Sequence, residues 1–319
     1  MARMDRSPSD AALAHRVAAC PSVDGWAAQR RRAFLLGLIP ALVVLAAITL
    51  APALYLLVTS LTPLSLVRPA ETAWNFSRPW TNFVALMADA RFINSLGVQV
   101  RLSVVTVSLQ LLAGLAVALM LNARSPFLEA VRTAFLVPMV LPPIVVAIIW
   151  KVLYTPEISP IHHLLARVGL PVSSLITNPR AALWAIALAD TWEWFPFTMI
   201  MILAALQMMP EEPMEAARID GAGPWQLFRF VVLPLLRPTL LLATLFRLID
   251  SIKAFPLIYV MTNGGPGMVT EVTNYYAFIQ AFNFSYWGYA SAITVIMVAG
   301  VFFLSWLITR VVGTEVDIE

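Results

Sequence analysis

Five ionisable side chains interrupt two otherwise apolar segments, residues 181–207 and 239–261. Within each segment the charges recur at every third residue. They are Asp190, Glu193, Arg247, Asp250 and Lys253. Residues three apart lie on one side of a helix, and an ionised side chain at the centre of a bilayer costs about 2.5–3.5 kcal/mol. We therefore expect these groups to pair with one another or to line a water-filled path, and not to face lipid.

Aromatic residues flank the charges, so the two segments could together bind a polar solute. Polar groups would hydrogen-bond such a ligand while aromatic faces cover its apolar surface. The candidate substrate-pathway residues are Asp190, Trp192, Glu193, Trp194, Arg247, Asp250, Lys253 and Tyr259. A purely structural role is an equal alternative. Arg247 would then pair with Asp250, and Lys253 with one of the two acids at 190 and 193, to tie helices together. The sequence leaves both interpretations open.

The composition indicates a membrane protein. Of the 319 residues, 60% are hydrophobic and 12% are charged, against roughly 45–50% and about 25% in soluble domains. The net charge is +3, but most of the arginines flank apolar segments and form no basic patch, so we do not expect a nucleic-acid partner.

The residues that build metal sites and nucleophilic active sites are scarce. The chain has one cysteine, Cys20, and three histidines, so we expect no disulfide and no metal site. The His-Glu-x-x-His and Gly-x-Ser-x-Gly signatures are both missing from the sequence, as is the Gly-x-x-x-x-Gly-Lys nucleotide loop. We therefore expect no catalytic residues, and any ATP that drives this protein must be hydrolysed by another chain.

Six segments approach the roughly 20 residues that a membrane-spanning helix requires. They are residues 33–58, 102–121, 133–150, 181–207, 239–261 and 287–309. The predicted fold is therefore an all-α polytopic membrane protein. With the N-terminus inside, the cytoplasmic segments hold twelve arginines and the external segments five. Because positive residues concentrate on the cytoplasmic side, we predict that both termini are cytoplasmic.

This topology predicts the domain organisation of the chain. The predicted parts are a cytoplasmic tail at 1–32, a first transmembrane helix at 33–58, an external loop at 59–92, a five-helix core at 93–312 that contains a cytoplasmic loop at 208–237, and a cytoplasmic tail at 313–319.

Prolines lie within three of the predicted spans, at Pro138, Pro142, Pro143, Pro196 and Pro256. Proline breaks helical hydrogen bonds, and within membranes it is tolerated where neighbouring groups satisfy the freed carbonyls. Hinge and packing roles for these residues remain equal alternatives.

The cytoplasmic loop between the fourth and fifth spans has a pattern of its own. Acids and Pro213 predict a short helix over residues 213–220. The Gly-Ala-Gly sequence at 221–223 predicts a sharp turn. A second helix follows to about residue 233, with an apolar stripe at Trp225, Phe228 and Val232, and Pro234 and Pro238 should end it. The element could be an ordinary interfacial helix or, because small residues adjoin Glu215, a docking site for a partner.

The sequence from Glu215 to Pro234 resembles the EAA loop of ABC-importer permeases. That pattern is Glu-Ala-Ala, three residues, Gly, nine residues, an aliphatic residue, one residue, and Leu-Pro. The matching positions are Glu215, Ala216, Ala217, Gly221, Val231, Leu233 and Pro234. The resemblance implies that this loop couples the permease to an ATPase, with Glu215 pairing with a basic residue in an ATPase cleft.

Residues 246–267 and 276–292 look like the carbohydrate-uptake branch of these permeases, the maltose, trehalose and glycerol-phosphate type. The resemblance implies a type I importer permease in the bacterial cytoplasmic membrane. Its expected partners are a second permease subunit, two copies of an ABC ATPase, an extracytoplasmic sugar-binding protein, a sugar or sugar derivative, and membrane lipid. The chain itself would bind no cofactor, since the ATPase would use ATP and magnesium. Transport would proceed by alternating access.

A secondary transporter or channel is the alternative function, because it would explain the charges within the spans equally well. It would leave the EAA match as coincidence, and the sequence shows no inverted repeat of the kind that such transporters carry.

Overall fold

The structure, a computed structural model, describes residues 23–123, 125–169 and 173–316. The described residues form helices and no strand. Most of the predicted N-terminal tail and the last three residues lie outside this part of the chain. The predicted domain boundaries stay predictions. Contacts divide the chain into two compact units, one up to Tyr55 and one from Leu56 onward.

Fourteen helices follow one another along the described residues. They are α1 Val23–Ser60, α2 Pro69–Thr72, α3 Thr81–Ala88, α4 Ala90–Met120, α5 Pro126–Phe135, α6 Val137–Val140, α7 Pro143–Tyr154, α8 Pro160–Arg167, α9 Ala182–Met208, α10 Glu212–Ile219, α11 Pro224–Ile252, α12 Pro256–Met261, α13 Thr273–Phe278 and α14 Trp287–Val316. α11 contains a π-helical turn at Phe228–Val232, and α13 continues into another at Ile279–Asn283.

Five of these helices are long and apolar enough to cross a membrane, namely α1, α4, α9, α11 and α14. α4 begins at Ala90, well before the predicted start at residue 102, because Asp89 caps it by accepting a hydrogen bond from Arg91 N at 2.9 Å. Residues 59–89 therefore contain two short helices before the second span begins, and the polar residues at the start of α4 hid its full length from the hydropathy pattern.

The third predicted span, residues 133–150, is not one straight helix. α5 and α6 are followed by α7 after a bend of 94°, which agrees with the hinge alternative for the prolines of this segment. Leu141 and Pro142 are both extended, with ψ of 140° and 136°. A residue before proline disfavours the helical region, and the consecutive prolines at 142 and 143 impose that restriction on both residues. With this bent pair counted as one span, the total is six.

The fifth span also differs from the prediction. α11 runs without interruption from Pro224 to Ile252, so Pro234 and Pro238 do not end the helix. A proline ring clashes with the carbonyl four residues earlier, and the π-helical turn immediately before Pro234, in which Leu233 N donates to Phe228 O, locally widens the helix. The predicted span ends early instead: α11 ends at Ile252, and α12 begins at Pro256 after Phe255, whose φ of −135° lies outside the helical region.

The core of the larger unit lies between α4 and α9, which run parallel. Gln110 contacts Asp190, and one helical turn further on Gly114 packs against Thr198 and Met199. A Cβ at Gly114 would overlap Thr198 Oγ1 and lie 2.9 Å from Met199 N, so only glycine allows the two helices to approach this closely.

Candidate functional site

The helix α10 is anchored to one end of the bundle by its apolar side. Met214 is half-buried and packs with Leu227 and Phe228 against a buried cluster that includes Leu206 and Val232. The opposite side of α10 is exposed. Among the described residues, the carboxylate of Glu215 makes no salt bridge or hydrogen bond. α10 therefore presents an acid on a surface that the rest of the unit holds in place.

A compact turn ends α10 and sets its angle to α11. Gly221 has φ of +84°, Gly221 N donates to Arg218 O at 3.1 Å, and Ala222 N donates to Ala217 O at 2.9 Å. These two bonds form the Schellman motif, whose left-handed residue is normally glycine. Gly223 N then donates to Gln226 Oε1 at 2.8 Å, which caps the start of α11. The predicted Gly-Ala-Gly reversal has this geometry.

Four large apolar side chains in and next to this loop are exposed, and one of them, Ile219, lies one turn after Glu215 on α10. Met208, Ile219, Trp225 and Phe230 are between 69% and 86% exposed. The predicted apolar stripe is thus divided: Val232 is buried and Phe228 half-buried, whereas Trp225 points outward although its ring lies 5.7 Å from that of Phe228. Soluble and membrane proteins alike use such exposed apolar patches as interaction sites.

The remaining EAA positions divide between the surface and the bundle. Ala216 and Pro234 are exposed, and Ala217 and Leu233 are half-buried. The small side chains at 216 and 217 leave the backbone of α10 open to a close approach from outside.

A hydrogen-bonded network inside the bundle joins three spans through one residue, Gln110 of α4. Its Nε2 donates to Asp190 Oδ2 of α9 at 2.7 Å, and its Oε1 accepts from Arg247 Nε of α11 at 2.8 Å. Thr198 Oγ1 donates to the backbone carbonyl of Gln110 at 2.7 Å. The amide thus uses both ends to hold an acid and a base that do not pair with each other directly.

Arg247 completes the network on α11. Its Nη1 donates to Asp250 Oδ2 at 2.8 Å, and its guanidinium lies 4.6 Å from the centre of the Trp194 ring. The Arg247 side chain is buried, whereas that of Asp250 is 43% exposed. Arg247 is therefore held by an amide, a carboxylate and an aromatic face, as a buried cation requires, and one carboxylate of the network reaches the surface of the unit.

The other candidate pathway residues lie around this network with different partners. Glu193 is fully buried, and neither of its oxygens has a hydrogen-bond partner among the described residues. Trp192 contacts Trp150, with ring centres 5.9 Å apart. Lys253 is exposed and makes no ion pair within the described part of the chain. Tyr259 stacks on Phe255 at 5.3 Å. The pairing of Lys253 with either acid of α9, considered from the sequence, does not occur here.

Sequence reasoning missed Gln110, although it is the residue that brings the others together. It also missed a second polar contact between α4 and α11, where Ser251 Oγ donates to Ser103 Oγ at 2.8 Å and Gln99 Nε2 donates to Ser251 O at 3.0 Å. The available signal was an uncharged amide within an apolar segment, since such a group requires a partner as strongly as many charges do.

Three charged residues at the end of the unit that carries α13 have partners within the unit. Arg91 forms a two-fold hydrogen bond with Glu271, at 2.8 and 2.7 Å. Asp89 accepts hydrogen bonds from the hydroxyls of Tyr276 at 2.5 Å and Tyr289 at 2.6 Å. Burial opposes ionisation of Asp89, but these bonds and those from two backbone amides outweigh it and hold its pKa below the ordinary value. Burial and the bond to Asp89 raise the pKa of Tyr276 to about 12.

A helical bundle with up to six candidate spans, a buried polar network and an exposed helix between two spans is typical of an integral membrane protein. The chain belongs to the family described as "binding-protein-dependent transport system inner membrane component", whose model matches residues 110–313. It is therefore an inner-membrane transport subunit and not an enzyme. A secondary transporter or channel, the alternative drawn from the sequence, is excluded by this membership.

Curated relatives cover most of this chain. It is 35% identical over 215 residues to the trehalose/maltose transport system permease protein MalF of Thermococcus litoralis, covering 67% of this chain and 72% of the relative. It is 30% identical over 288 residues to the trehalose transport system permease protein SugA of Mycobacterium tuberculosis, covering 90% of each chain.

A solved structure has the same fold. It is a chain of a bacterial ABC transporter involved in the import of the acidic polysaccharide alginate. The TM-score is 0.76 at 20% identity, over 91% of this chain and 98% of that one. The fold is thus that of a type I importer permease, as the sequence predicted.

Proposed function

We propose that this chain is one of two permease subunits of an ATP-driven, binding-protein-dependent importer, and that it carries a sugar or sugar derivative across the inner membrane. Family membership supports the transport role. The relatives named for trehalose and maltose, and a further one for sulfoquinovosyl glycerol that is 32% identical over 280 residues, support the substrate class. The partners would be a second permease, two ATPase copies and an external sugar-binding protein.

The observation that carries the proposal is the exposed helix α10 with its rigid turn. An ATPase cleft that received α10 would cover the apolar side chains of Ile219 and Trp225 and would offer a basic group to Glu215. The small residues Ala216 and Ala217 would let the cleft approach the backbone of α10. This surface would face the cytoplasm, in agreement with the distribution of arginines along the sequence.

The connections of α10 explain how movement of the ATPase would reach the substrate. Three residues join α10 to α9, and the Schellman turn joins it to α11. These two spans carry Asp190 and Arg247, which Gln110 of α4 links. When ATP draws the two ATPase subunits together, displacement of α10 would move the spans as a group and alternate the access of the polar network between the two sides.

The polar network and its surroundings would form the substrate pathway of this subunit. Asp250 is half-exposed beside Arg247, while Lys253 and Tyr259 are exposed nearby on the chain. Sugar hydroxyls both donate and accept hydrogen bonds, so a carboxylate paired with a cation suits them. ATP and magnesium would be bound by the partner ATPase.

The test is uptake by the whole importer, reconstituted in proteoliposomes with its ATPase, second permease and binding protein. Wild type should accumulate radiolabelled trehalose or maltose when ATP is supplied at the ATPase side. Glu215→Lys should reduce uptake to a few per cent or less, because a positive charge would meet the basic group of the cleft, while the complex remains folded. Glu157→Lys, at an exposed acid away from α10, is the matched control. Normal uptake by Glu215→Lys would contradict the coupling role.

A further inference from the structure

Aromatic side chains form a continuous line along α12, α13 and the start of α14. Neighbouring ring centres lie 5.0–6.4 Å apart. The line consists of Tyr259, Phe255, Tyr275, Phe278, Phe282 and Trp287. Three of these rings, Phe255, Phe278 and Phe282, border one groove of about 310 Å³. That volume lies at the lower end of the roughly 300–1,000 Å³ range of small-molecule sites.

The polar groups that line the groove are amides and hydroxyls. Asn274 donates through Nδ2 to Lys253 O at 3.2 Å, and its amide oxygen makes no hydrogen bond among the described residues. Ser291 accepts from Thr59 Oγ1 at 2.9 Å, which leaves its own hydroxyl hydrogen available. Thr294 donates to Ala290 O at 2.9 Å and keeps its acceptor capacity. The groove thus offers both donors and acceptors.

Among the described residues, no charged side chain lines the groove, and three small residues, Ala277, Ala281 and Ala290, complete its lining. A ligand here would meet aromatic rings and neutral hydrogen-bonding groups. This combination suits an uncharged ring whose faces present C–H groups and whose edge carries hydroxyls.

Two contacts join residues of the groove to candidate pathway residues. Phe255 borders the groove and stacks on Tyr259 with an interplanar angle of 18°. Asn274 contacts the backbone of Lys253, three residues after Asp250. A ligand in the groove would therefore lie beside the segment that carries the candidate pathway residues Lys253 and Tyr259.

We propose that this aromatic groove binds an uncharged pyranose ring of the transported sugar before the sugar reaches the polar network. The inference rests on the proposed function and adds a binding site to it. Phe282, which is 63% exposed, and Phe278 are the residues whose rings would stack on the sugar.

The first experiment measures uptake kinetics of the whole reconstituted importer. Phe282→Ala should raise the KM for trehalose uptake about tenfold, a factor that corresponds to about 1.4 kcal/mol of binding free energy, with little change in kcat. Phe282→Trp should restore most of the affinity. Phe302→Ala is the control. It removes an exposed ring from α14, the helix that also carries Ser291 and Thr294 of the groove, and its KM should equal that of wild type. Equal KM values for Phe282→Ala and Phe302→Ala would overturn the proposal.

A second experiment identifies what occupies the groove. Photoreactive benzoylphenylalanine at position 282 should cross-link radiolabelled trehalose, and an excess of unlabelled trehalose should suppress the product. Cross-linking only to the second permease would show that the groove is a subunit interface, and cross-linking only to lipid would show that it faces the bilayer. Either result would overturn the proposal. If wild type imports no sugar or sugar derivative, the proposed function fails; if wild type imports a sugar and position 282 never captures that sugar, the groove proposal alone fails.

Discussion

The polar residues of α10 and those of the buried network differ in where their partners lie. In the network, Gln110 and Arg247 make side-chain hydrogen bonds within the unit. On α10, Glu215 has no such partner among the described residues, and Ile219, one turn later, is exposed as well. Polar groups that a fold satisfies internally stabilise that fold, whereas an exposed acid beside exposed apolar side chains is free to meet a second molecule. The comparison therefore predicts which residues hold the permease together and which would connect it to the proposed ATPase.

The two ends of α4 differ in the same way. Its 31 residues correspond to a length of roughly 46 Å at 1.5 Å per residue. At one end of this helix, Arg91 pairs with Glu271 and Asp89 is held by two tyrosines. Near the other end lies the exposed surface of α10. Arg91, Glu271 and Asp89 have their partners within the unit, so substitutions of these residues should affect stability, and substitutions on α10 should affect coupling.

Gln110→Leu should produce the largest loss of stability. The substitution removes the shared partner of Asp190 and Arg247 and leaves both charges incompletely satisfied in a buried site, at a cost of roughly 3–5 kcal/mol. The thermal unfolding temperature of the purified importer in detergent should fall accordingly. Gln207→Leu makes the same chemical change at an exposed position and should alter the unfolding temperature little. An unchanged midpoint for Gln110→Leu would mean that the network is not a structural element.

Gly221→Ala should have an effect of intermediate size, on the coupling of transport to ATP hydrolysis and not on the stability of the complex. A residue other than glycine in the left-handed region costs about 1–2 kcal/mol, so the Schellman turn would open and α10 would lose its fixed angle. We expect sugar uptake per ATP hydrolysed to fall several-fold while the complex stays assembled.

Gly223→Ala is the matched control for that change. Its φ is −71° and an added Cβ would meet only Gln226 Oε1, at 3.7 Å. Uptake and hydrolysis measured on the same vesicles should show coupling close to wild type. If Gly221→Ala couples as well as Gly223→Ala, the turn does not transmit movement.

The sequence predicted α10 well because two independent signals agreed there. Pro213, the neighbouring acids and the Gly-Ala-Gly sequence predicted the helix and its turn. The spacing from Glu215 to Pro234 showed the resemblance to the EAA loop. The apolar segments also predicted the spans, since hydropathy depends on composition and little on neighbours. The prolines at 142 and 143 indicated where the third span could bend, but the angle of 94° before α7 could not be predicted, because it also depends on how the neighbouring helices pack.

The polar network was predictable only in part. The charges at Asp190, Arg247 and Asp250 interrupted apolar segments and were therefore visible. Gln110 carries no charge and lies within a segment that otherwise reads as uniformly apolar. Its role depends on the parallel packing of α4 and α9, which brings together residues 80 positions apart. Likewise, α11 continues through Pro234 because of a local π-helical turn. No residue type in the sequence predicts such a turn.

Acidification should give the smallest effect and should act on the α13 end alone. The pKa of Asp89 is lowered in the folded protein, so its ionised form contributes stability that is fully present above the ordinary value near 3.8 and is lost as the pH falls through the lowered value. Asp89→Asn removes this contribution at every pH. The unfolding temperature of wild type should therefore exceed that of Asp89→Asn at neutral pH, and the difference should shrink only below about pH 4. Asp220→Asn, on the exposed loop after α10, should show no comparable difference. A gap between wild type and Asp89→Asn that persists unchanged at pH 3 would mean that the tyrosine hydroxyls hold the neutral acid as well as the carboxylate, and the α13 end would then owe its stability to hydrogen bonds without regard to charge.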